Sequence, residues 1–286
     1  MPPRTIGLVV KPDPNARQHA DALEAWLVEK GCQVVRLSHD TKPGTAPCPT
    51  QTPAPKGLYC TVVLGGDGTF LSAVRWLGDN QVPILGVKFG EVGFLAEAAE
   101  EQIYTAVATI LEGRFVTWPR MRLNVEVRQS ERLVANETVF NDVVINKGAL
   151  ARLALITVHI NDRYLTDYRA DGLILATPTG STAYSLAAGG PVMQPAVPGI
   201  LITPICPFTL TNRPLIVSDD SRISIRLAEK SADIMLTFDG QVGMPIDQSH
   251  TIMVQKSPVP VQLIALPGRS FFDVLRTKLR WGGSRT

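Results

Sequence analysis

The sequence predicts an α/β N-terminal domain with a parallel sheet, then an all-β, sandwich-like C-terminal domain, with a C-terminal helix packing back on the first domain. Three observations carry this expectation. Up to Leu111, short apolar runs alternate with segments of helical period, the pattern of a parallel sheet covered by helices. Beyond Trp118-Pro119 the apolar residues recur at every second position, as in strands with one buried face. After Ser270 the helical period returns. These shifts place the domains at 1–118, carrying a glycine-rich turn, at 119–268, rich in strands, and at 269–286, a helix and tail. With 286 residues, 45% hydrophobic and 19% charged, the chain can bury two cores.

Each element has a local reason. Thr5 to Val10 is a buried strand, and Ala16, Ala20, Leu23 and Leu27 recur at helical spacing before Gly31, a C-cap. Gln33 to Leu37 is the second strand. Residues 41–57 hold Pro43, Pro47, Pro49, Pro53 and Pro55, a density that forbids a helix and removes strand donors, so an exposed, mobile loop is expected. Tyr59 to Leu64 and Pro83 to Val87 are strands, Phe70 to Leu77 opens a helix, and Glu101 to Leu111 is a helix ending near Gly113. In the second part Leu123, Val125 and Val127 alternate with polar residues, as do Ala154, Ile156, Val158 and Ile160 before an Asn161-Asp162 turn. Ile223, Ile225 and Leu227, then Ile234, Leu236 and Phe238, repeat the pattern, and Val259, Val261 and Leu263 form a late strand of the same domain. In the final helix Ser270 is the cap, Asp273 suits the first turn, and Phe272, Leu275 and Leu279 make the apolar stripe.

Composition excludes several classes. A net charge of +2 is too small for a nucleic-acid or membrane surface. No apolar run approaches the roughly 18 residues of a membrane span, and the N-terminus lacks the apolar core of a signal peptide. Cys32, Cys48, Cys60 and Cys206 show no CxxC spacing, which suggests neither a zinc site nor a disulfide framework and suits a reducing cytoplasm. His19, His39, His159 and His250 are scattered, with no ligand spacing.

Gly65-Gly66-Asp67-Gly68-Thr69 follows the apolar run Val62-Val63-Leu64 and precedes a helix. Glycines let backbone N–H groups approach a phosphate closely, backed by the helix N-terminus. Asp67 then stands at the carboxyl end of a strand, where open α/β sheets bind ligands. A carboxylate there suits a hydroxyl or a metal ion; the alternative is a tight turn whose Asp caps the helix. Walker A and GxGxxG patterns are both absent. Gly86, Gly90 and Gly93 suggest a second close approach, to a ligand or to backbone.

The second part adds polar groups at strand ends. Asn141-Asp142 offers a donor and acceptors able to clamp ribose hydroxyls, or forms an Asx-type turn. Arg169 and Asp171, two residues apart, share a face of an extended chain, either as a surface ion pair or as ligand contacts. Thr177 to Tyr184 supplies neutral hydroxyls and an aromatic ring, suited to an adenine edge, with Tyr184 available for stacking.

The glycine turn resembles those of phosphofructokinases, of diacylglycerol- and sphingosine-type lipid kinases and of NAD kinases. The run Asp171-Gly172-Leu173-Ile174-Leu175-Ala176-Thr177-Pro178-Thr179-Gly180-Ser181-Thr182-Ala183-Tyr184-Ser185-Leu186-Ala187-Ala188-Gly189-Gly190-Pro191 resembles the NAD kinase family alone. Pro204 to Leu210 with Arg213-Pro214, and Asp239-Gly240-Gln241, resemble further segments of that family. The resemblance implies transfer of the γ-phosphoryl of ATP to the 2′-hydroxyl of the adenosine ribose of NAD, giving NADP, with Mg²⁺ or Mn²⁺ accompanying ATP. It implies Asp67 as the catalytic carboxylate, orienting the hydroxyl and accepting its proton late, and Gly65, Gly66, Gly68 and Thr69 as the phosphate turn. Asp67, Gly68, Asn141, Asp142, Arg152, Arg169 and Asp171 would hold NAD, with Thr182, Ala183, Tyr184, Ser185, Leu186, Ala187 and Gln241 lining its pocket. No protein side chain is assigned to the metal. Some contacts would come from a neighbouring copy, so a homodimer or homotetramer is implied.

This chain departs from the family pattern at Lys88, where Asn is usual, at Asp142, where Glu is usual, and at Ala187, where Ser is common. A lipid or sugar kinase sharing the glycine turn is the competing enzyme. The lipid kinase needs an apolar cleft and the sugar-phosphate kinase extra basic residues for its acceptor. A non-catalytic NAD-binding regulator is the competing class, and the carboxylate beside the phosphate turn argues against it.

Overall fold

In a computed structural model the described residues are 3–37, 53–89, 93–148, 152–209, 211–229, 233–266 and 270–281. They fall into two compact units, one of the described residues up to 119 together with those from 261 onward, the other of those within 120–260.

The first unit is the expected α/β layer. Its strands are β1 (Thr5–Val10), β2 (Gln33–Leu37), β3 (Leu58–Gly65), β4 (Ile84–Lys88), β5 (Ala98–Ala99) and β6 (Val116–Arg120). The sheet runs β2-β1-β3-β4, then a strand at Val261–Ala265, then β6, with β5 on β4. The pairs β1–β2, β1–β3 and β3–β4 are parallel. Helix α1 (Pro14–Glu29) starts where the Asp13 carboxylate accepts the Ala16 N–H at 2.9 Å, with Pro at its N-terminus. It buries Ala16, Ala20, Leu23 and Leu27, and Gly31 follows with φ +77. Helices α2 (Asp67–Leu77) and α3 (Ile103–Leu111) complete the cover. α1 and α3 join the strands in one core with Ile6, Leu8, Val62 and Leu64.

The second unit is a sandwich. Its strands are β7 (Leu123–Gln129), β8 (Arg132–Val139), β9 (Asp142–Lys147), β10 (Ala154–Ile160), β11 (Arg163–Ala170) and β12 (Gly172–Ala176). They continue as β13 (Gly199–Ile205), β14 (Leu215–Ser218), β15 (Ile223–Leu227), β16 (Ile234–Phe238), β17 (Val242–Ile246) and β18 (His250–Lys256). One sheet runs β11-β10-β15-β18-β7-β8, the other β14-β13-β12-β9-β16-β17. Alternate residues of both meet in one core, Val125, Ile156 and Ile225 from the first and Leu173, Ile202 and Leu236 from the second. The Asn161-Asp162 turn has φ of +50 and +62 at its two residues, the left-handed pair that suits a tight hairpin.

Three expectations change. The late strand runs Val261–Ala265 and lies parallel to β4 in the first unit's sheet rather than in the β-rich domain. Its three consecutive buried residues after Gln262, Leu263 to Ala265, suit a strand covered on both faces, not an alternating one. Of the loop expected at 41–57, residues 41–52 lie outside the described set. Pro53, Pro55, Lys56 and Gly57 are exposed as expected, but Ala54 is buried and its N–H bonds the Trp76 carbonyl at 3.1 Å. The helix Phe271–Leu279, grouped with the first unit, buries Val274 and Leu275 while Phe272 stays 53% exposed. At 100° per residue the buried arc centres on positions 271, 274, 275 and 278, and Phe272 falls beside it.

Candidate active site

β3 delivers the glycine turn to the carboxyl end of the parallel sheet. Gly66 is the N-cap of α2, with no side chain capping it, and Phe70 N–H bonds the Gly66 carbonyl. Asp67 therefore does not cap the helix, and the tight-turn alternative loses its basis. Its carboxylate instead accepts the backbone N–H groups of Phe94 at 3.1 Å and Leu95 at 3.2 Å. A Cβ at Gly93 would lie 2.2 Å from Asp67 Oδ1, so glycine there makes room for the carboxylate. At Gly86 a Cβ would lie 2.5 Å from the Leu95 carbonyl oxygen, which identifies that close approach as backbone to backbone. Gly66 and Gly68 differ from both. A Cβ at either meets nothing within 4 Å, and neither has a left-handed backbone. The fold does not need glycine at these two positions.

In the second unit Asn141 and Asp142 form the turn from β8 into β9. The Asp239 carboxylate accepts the N–H groups of Phe140 at 2.9 Å, Asn141 at 2.7 Å and Asp142 at 3.1 Å. Thr177 Oγ1 donates to the Phe140 carbonyl at 2.7 Å, and Thr177 N–H donates to the Asn141 carbonyl at 2.9 Å. Asp142 is only 5% exposed. Burial first, then the like charge of Asp239, push its carboxyl up to about 7, against a hydrogen bond from the Tyr184 backbone that favours the ion.

The hydroxyls read as ligand contacts are largely spent on folding the loop. Thr177 Oγ1 also accepts Gly180 N–H, Ser181 Oγ bonds Pro178 and Met193, and Thr182 Oγ1 bonds the Thr179 carbonyl. Ser185 Oγ lies 2.9 Å from Thr203 Oγ1. Tyr184, by contrast, is 42% exposed at the start of the short helix α4 (Tyr184–Ala187), with Ala183 and Leu186 half-buried and Ala187 exposed. Gln241 sits in the turn between β16 and β17.

Arg169 and Asp171 are elsewhere. Asp142 pairs with Ala176 at one end of β12, whereas Gly172 pairs with Asn146 at the other. Six steps of extended chain separate Asp171 from Thr177, about 20 Å at the strand rise. Arg169 stacks over the Phe208 ring with its guanidinium carbon 5.1 Å from the centroid, and Asp171 pairs with Lys147 at 3.4 Å. Arg152 is exposed just before β10. The structure thus brings Asn141, Asp142, Tyr184 and the Asp239–Gln241 turn together and leaves Arg169 and Asp171 at the far end of the sheet.

Sequence reasoning named the Asp239-Gly240-Gln241 turn but gave the Asp239 carboxylate no role, because an Asp-Gly pair between alternating runs already suits a hairpin turn. It also missed the Phe94 and Leu95 amides, since every residue carries such a donor. Among the described residues no three His, Cys, Asp or Glu side chains could together hold a metal ion. No helix there is long and apolar enough to cross a membrane.

Family profiles described as the ATP-NAD kinase N-terminal and C-terminal domains match residues 49–115 and 140–266. The chain is 52% identical over 284 residues to an NAD kinase of Desulfatibacillum aliphaticivorans, covering 99% of each chain. It is 42% identical over 275 residues to an NAD kinase of Geobacter sulfurreducens, covering 94% of this chain and 95% of the relative. Among solved structures it is similar to a yeast NADH kinase complexed with NADH, with TM-score 0.87 and 27% identity, covering 100% of this chain and 90% of the other. An Archaeoglobus fulgidus NAD kinase in complex with ATP, at TM-score 0.76, 24% identity and coverage of 98% and 100%, shares the fold. On the two profile matches and the full-length relatives, the chain belongs to the NAD kinase family.

Proposed function

We propose that this kinase uses Asp67 to phosphorylate the 2′-hydroxyl of the adenosine ribose of NAD at the expense of ATP. The reaction is that of its family, phosphoryl transfer from ATP to NAD. The bond from the γ-phosphorus to the ADP oxygen breaks, a bond to the ribose 2′-oxygen forms, ADP leaves and NADP results. Phosphoryl transfer has a largely dissociative transition state, so positioning and charge neutralisation dominate. A carboxylate is a far weaker base than a ribose alkoxide. Asp67 therefore orients the hydroxyl and takes its proton late, as the new bond closes.

One observation carries the reading. Asp67 is aimed by two backbone amides and flanked by Gly66 and Gly68, which are glycine although the protein leaves space for a Cβ. Bare backbone that the fold does not require is what a phosphate chain requires. Asn141 and Asp142 hold the NAD ribose, and the exposed ring of Tyr184 stacks on a base. A divalent ion would come with ATP, held by its phosphates with Asp67 the carboxylate of the turn, and would supply neutralisation of phosphate charge.

Arg169 and Asp171, at the far end of β12, we assign to NAD bound on a neighbouring copy, in a homodimer or homotetramer. A monomer by sedimentation at working concentration removes that assignment. The free thiols of Cys32, Cys60 and Cys206 suit our further proposal of a cytoplasmic setting.

The deciding experiment is NADP formation from NAD, ATP and Mg²⁺ by wild type and Asp67→Asn. The variant should fold as wild type and lose about 10²-fold or more in kcat, the usual worth of a positioned proton acceptor. Near-normal turnover refutes the assignment of Asp67. A folded wild-type protein that binds NAD but shows no turnover with any phosphoryl donor would instead be a regulator.

A further inference from the structure

We propose that Asp239 is the positioning residue of the NAD site, its carboxylate fixing the Asn141–Asp142 turn by gathering three consecutive backbone amides. The inference rests on the reading of Asn141 and Asp142 as NAD contacts and adds the group that aims them.

The geometry goes beyond what a hairpin needs. Asp239 and Gly240 have φ of +51 and +61, and that left-handed pair already reverses the chain from β16 to β17. The side chain of such an Asp has no duty in the turn. Here Oδ1 accepts Asn141 N–H at 2.7 Å and Asp142 N–H at 3.1 Å, while Oδ2 accepts Phe140 N–H at 2.9 Å. The Asp239 N–H in turn donates to the Asp142 carbonyl at 2.9 Å. The ladder explains the reach. Phe238 pairs with Val143, so Asp239 stands one step beyond, beside Asp142.

On the carbonyl side Thr177 holds Phe140 and Asn141, and a Cβ at Gly180 would lie only 2.0 Å from the Asn141 oxygen, so the chain there is pressed close. Peptide planes fixed on both edges leave the Asn141 and Asp142 side chains one direction of departure. Hydrogen bonds to a charged acceptor are the strong ones, and three on one carboxylate give a rigid mount.

Asp239 also acts on Asp142 through charge. Within the described residues, the groups acting on the Asp142 carboxyl are the Asp239 carboxylate and the Tyr184 amide, besides burial itself. Removing the Asp239 charge should therefore lower the proton affinity of Asp142.

The test compares Asp239→Asn, Asp239→Glu and Asn141→Ala in the full chain, by steady-state kinetics for NAD and ATP across the neutral pH range, with thermal melting as the fold control. Asn tolerates the left-handed backbone, but its amide would point a donor at one of the three N–H groups. Asp239→Asn should raise KM for NAD about tenfold, leave KM for ATP within about twofold, and shift the pH limb of the NAD term to lower pH. Asp239→Glu keeps the charge but displaces it, so it should raise KM for NAD with the limb in place. Unchanged KM for NAD in a folded Asp239→Asn overturns the inference, and if that variant does not fold, unchanged KM in Asp239→Glu does so. The site reading fails separately, when Asn141→Ala leaves KM for NAD unchanged.

Discussion

The Gly65–Thr69 turn is made of five adjacent residues, whereas the Phe140–Asp142 turn is held by Thr177 and Asp239, 37 and 99 residues away from Phe140. The first works through what is missing, side chains that would keep a phosphate at a distance. The second works through what is present, polar groups that fix each peptide plane. A local site is free to be bare because its strand and helix already set the chain direction. A site at the end of an antiparallel strand has no helix to orient it, so distant residues must do so. Even the first turn borrows one distant element, since the Phe94 and Leu95 amides aim its carboxylate.

The sharpest way to break this comparison is Gly93→Ala. The new methyl would lie 2.2 Å from Asp67 Oδ1 and 2.9 Å from its Cγ. A carboxylate on a flexible side chain yields before backbone does, so the protein folds with Asp67 displaced. A displacement near 1 Å can cost about 10²-fold in rate, and we expect that loss in kcat with KM for NAD and melting temperature little changed. A kcat equal to wild type would show that the amides of residues 94 and 95 do not aim the acceptor.

The next effect is on stability and belongs to the second turn. The Asp142 carboxyl is raised to about 7 from 3.8, so the folded state holds its proton more tightly than the unfolded state does. Its contribution is full below about pH 4 and is lost as pH rises through about 7, so a charged Asp142 weighs against folding in alkali. Asp142→Asn removes the ionisation while keeping an acceptor for the Tyr184 amide. Melting of the variant should exceed wild type by a few degrees near pH 8, and the gap should close as pH falls toward 4. Equal melting curves at both values would mean that water reaches this carboxyl in solution.

Why one turn was legible and the other only in part follows from the same contrast. Strand, glycines, Asp and helix are consecutive, and each has a local physical reason, so Asp67 could be named from the chain alone. Asn141 and Asp142 were visible as a polar pair at a strand end, but the carboxylate that mounts them reads locally as half of an Asp-Gly turn. The hydroxyls from Thr177 to Ser185 have a second duty that the sequence does not show. Their abundance suggests a ligand edge, yet the bonds they make close the loop upon itself. Periodicity fixed the faces of β7 and β10 because one face of each is buried. It placed Val261–Ala265 in the wrong sheet because a short apolar run does not say which sheet takes it. Arg169 and Asp171 share a motif with Thr177 in sequence, but β12 between them carries the two groups to opposite ends of a sheet.

The smallest expected effect on the fold is also the most discriminating for the glycine turn. Gly68 lies in the first turn of α2, and a Cβ there meets nothing within 4 Å. Glycine within a helix costs about 0.5–1 kcal/mol relative to alanine, so Gly68→Ala should leave the protein as stable or slightly more so. The methyl would stand where we place the phosphates, so KM for ATP should rise or kcat fall while the melting temperature does not drop. The two readouts separate the explanations: lost activity with retained stability means that the bare backbone serves a ligand. Retained activity would mean that the phosphates lie elsewhere along the turn, and Gly66→Ala, where a Cβ also meets nothing within 4 Å, would then locate them.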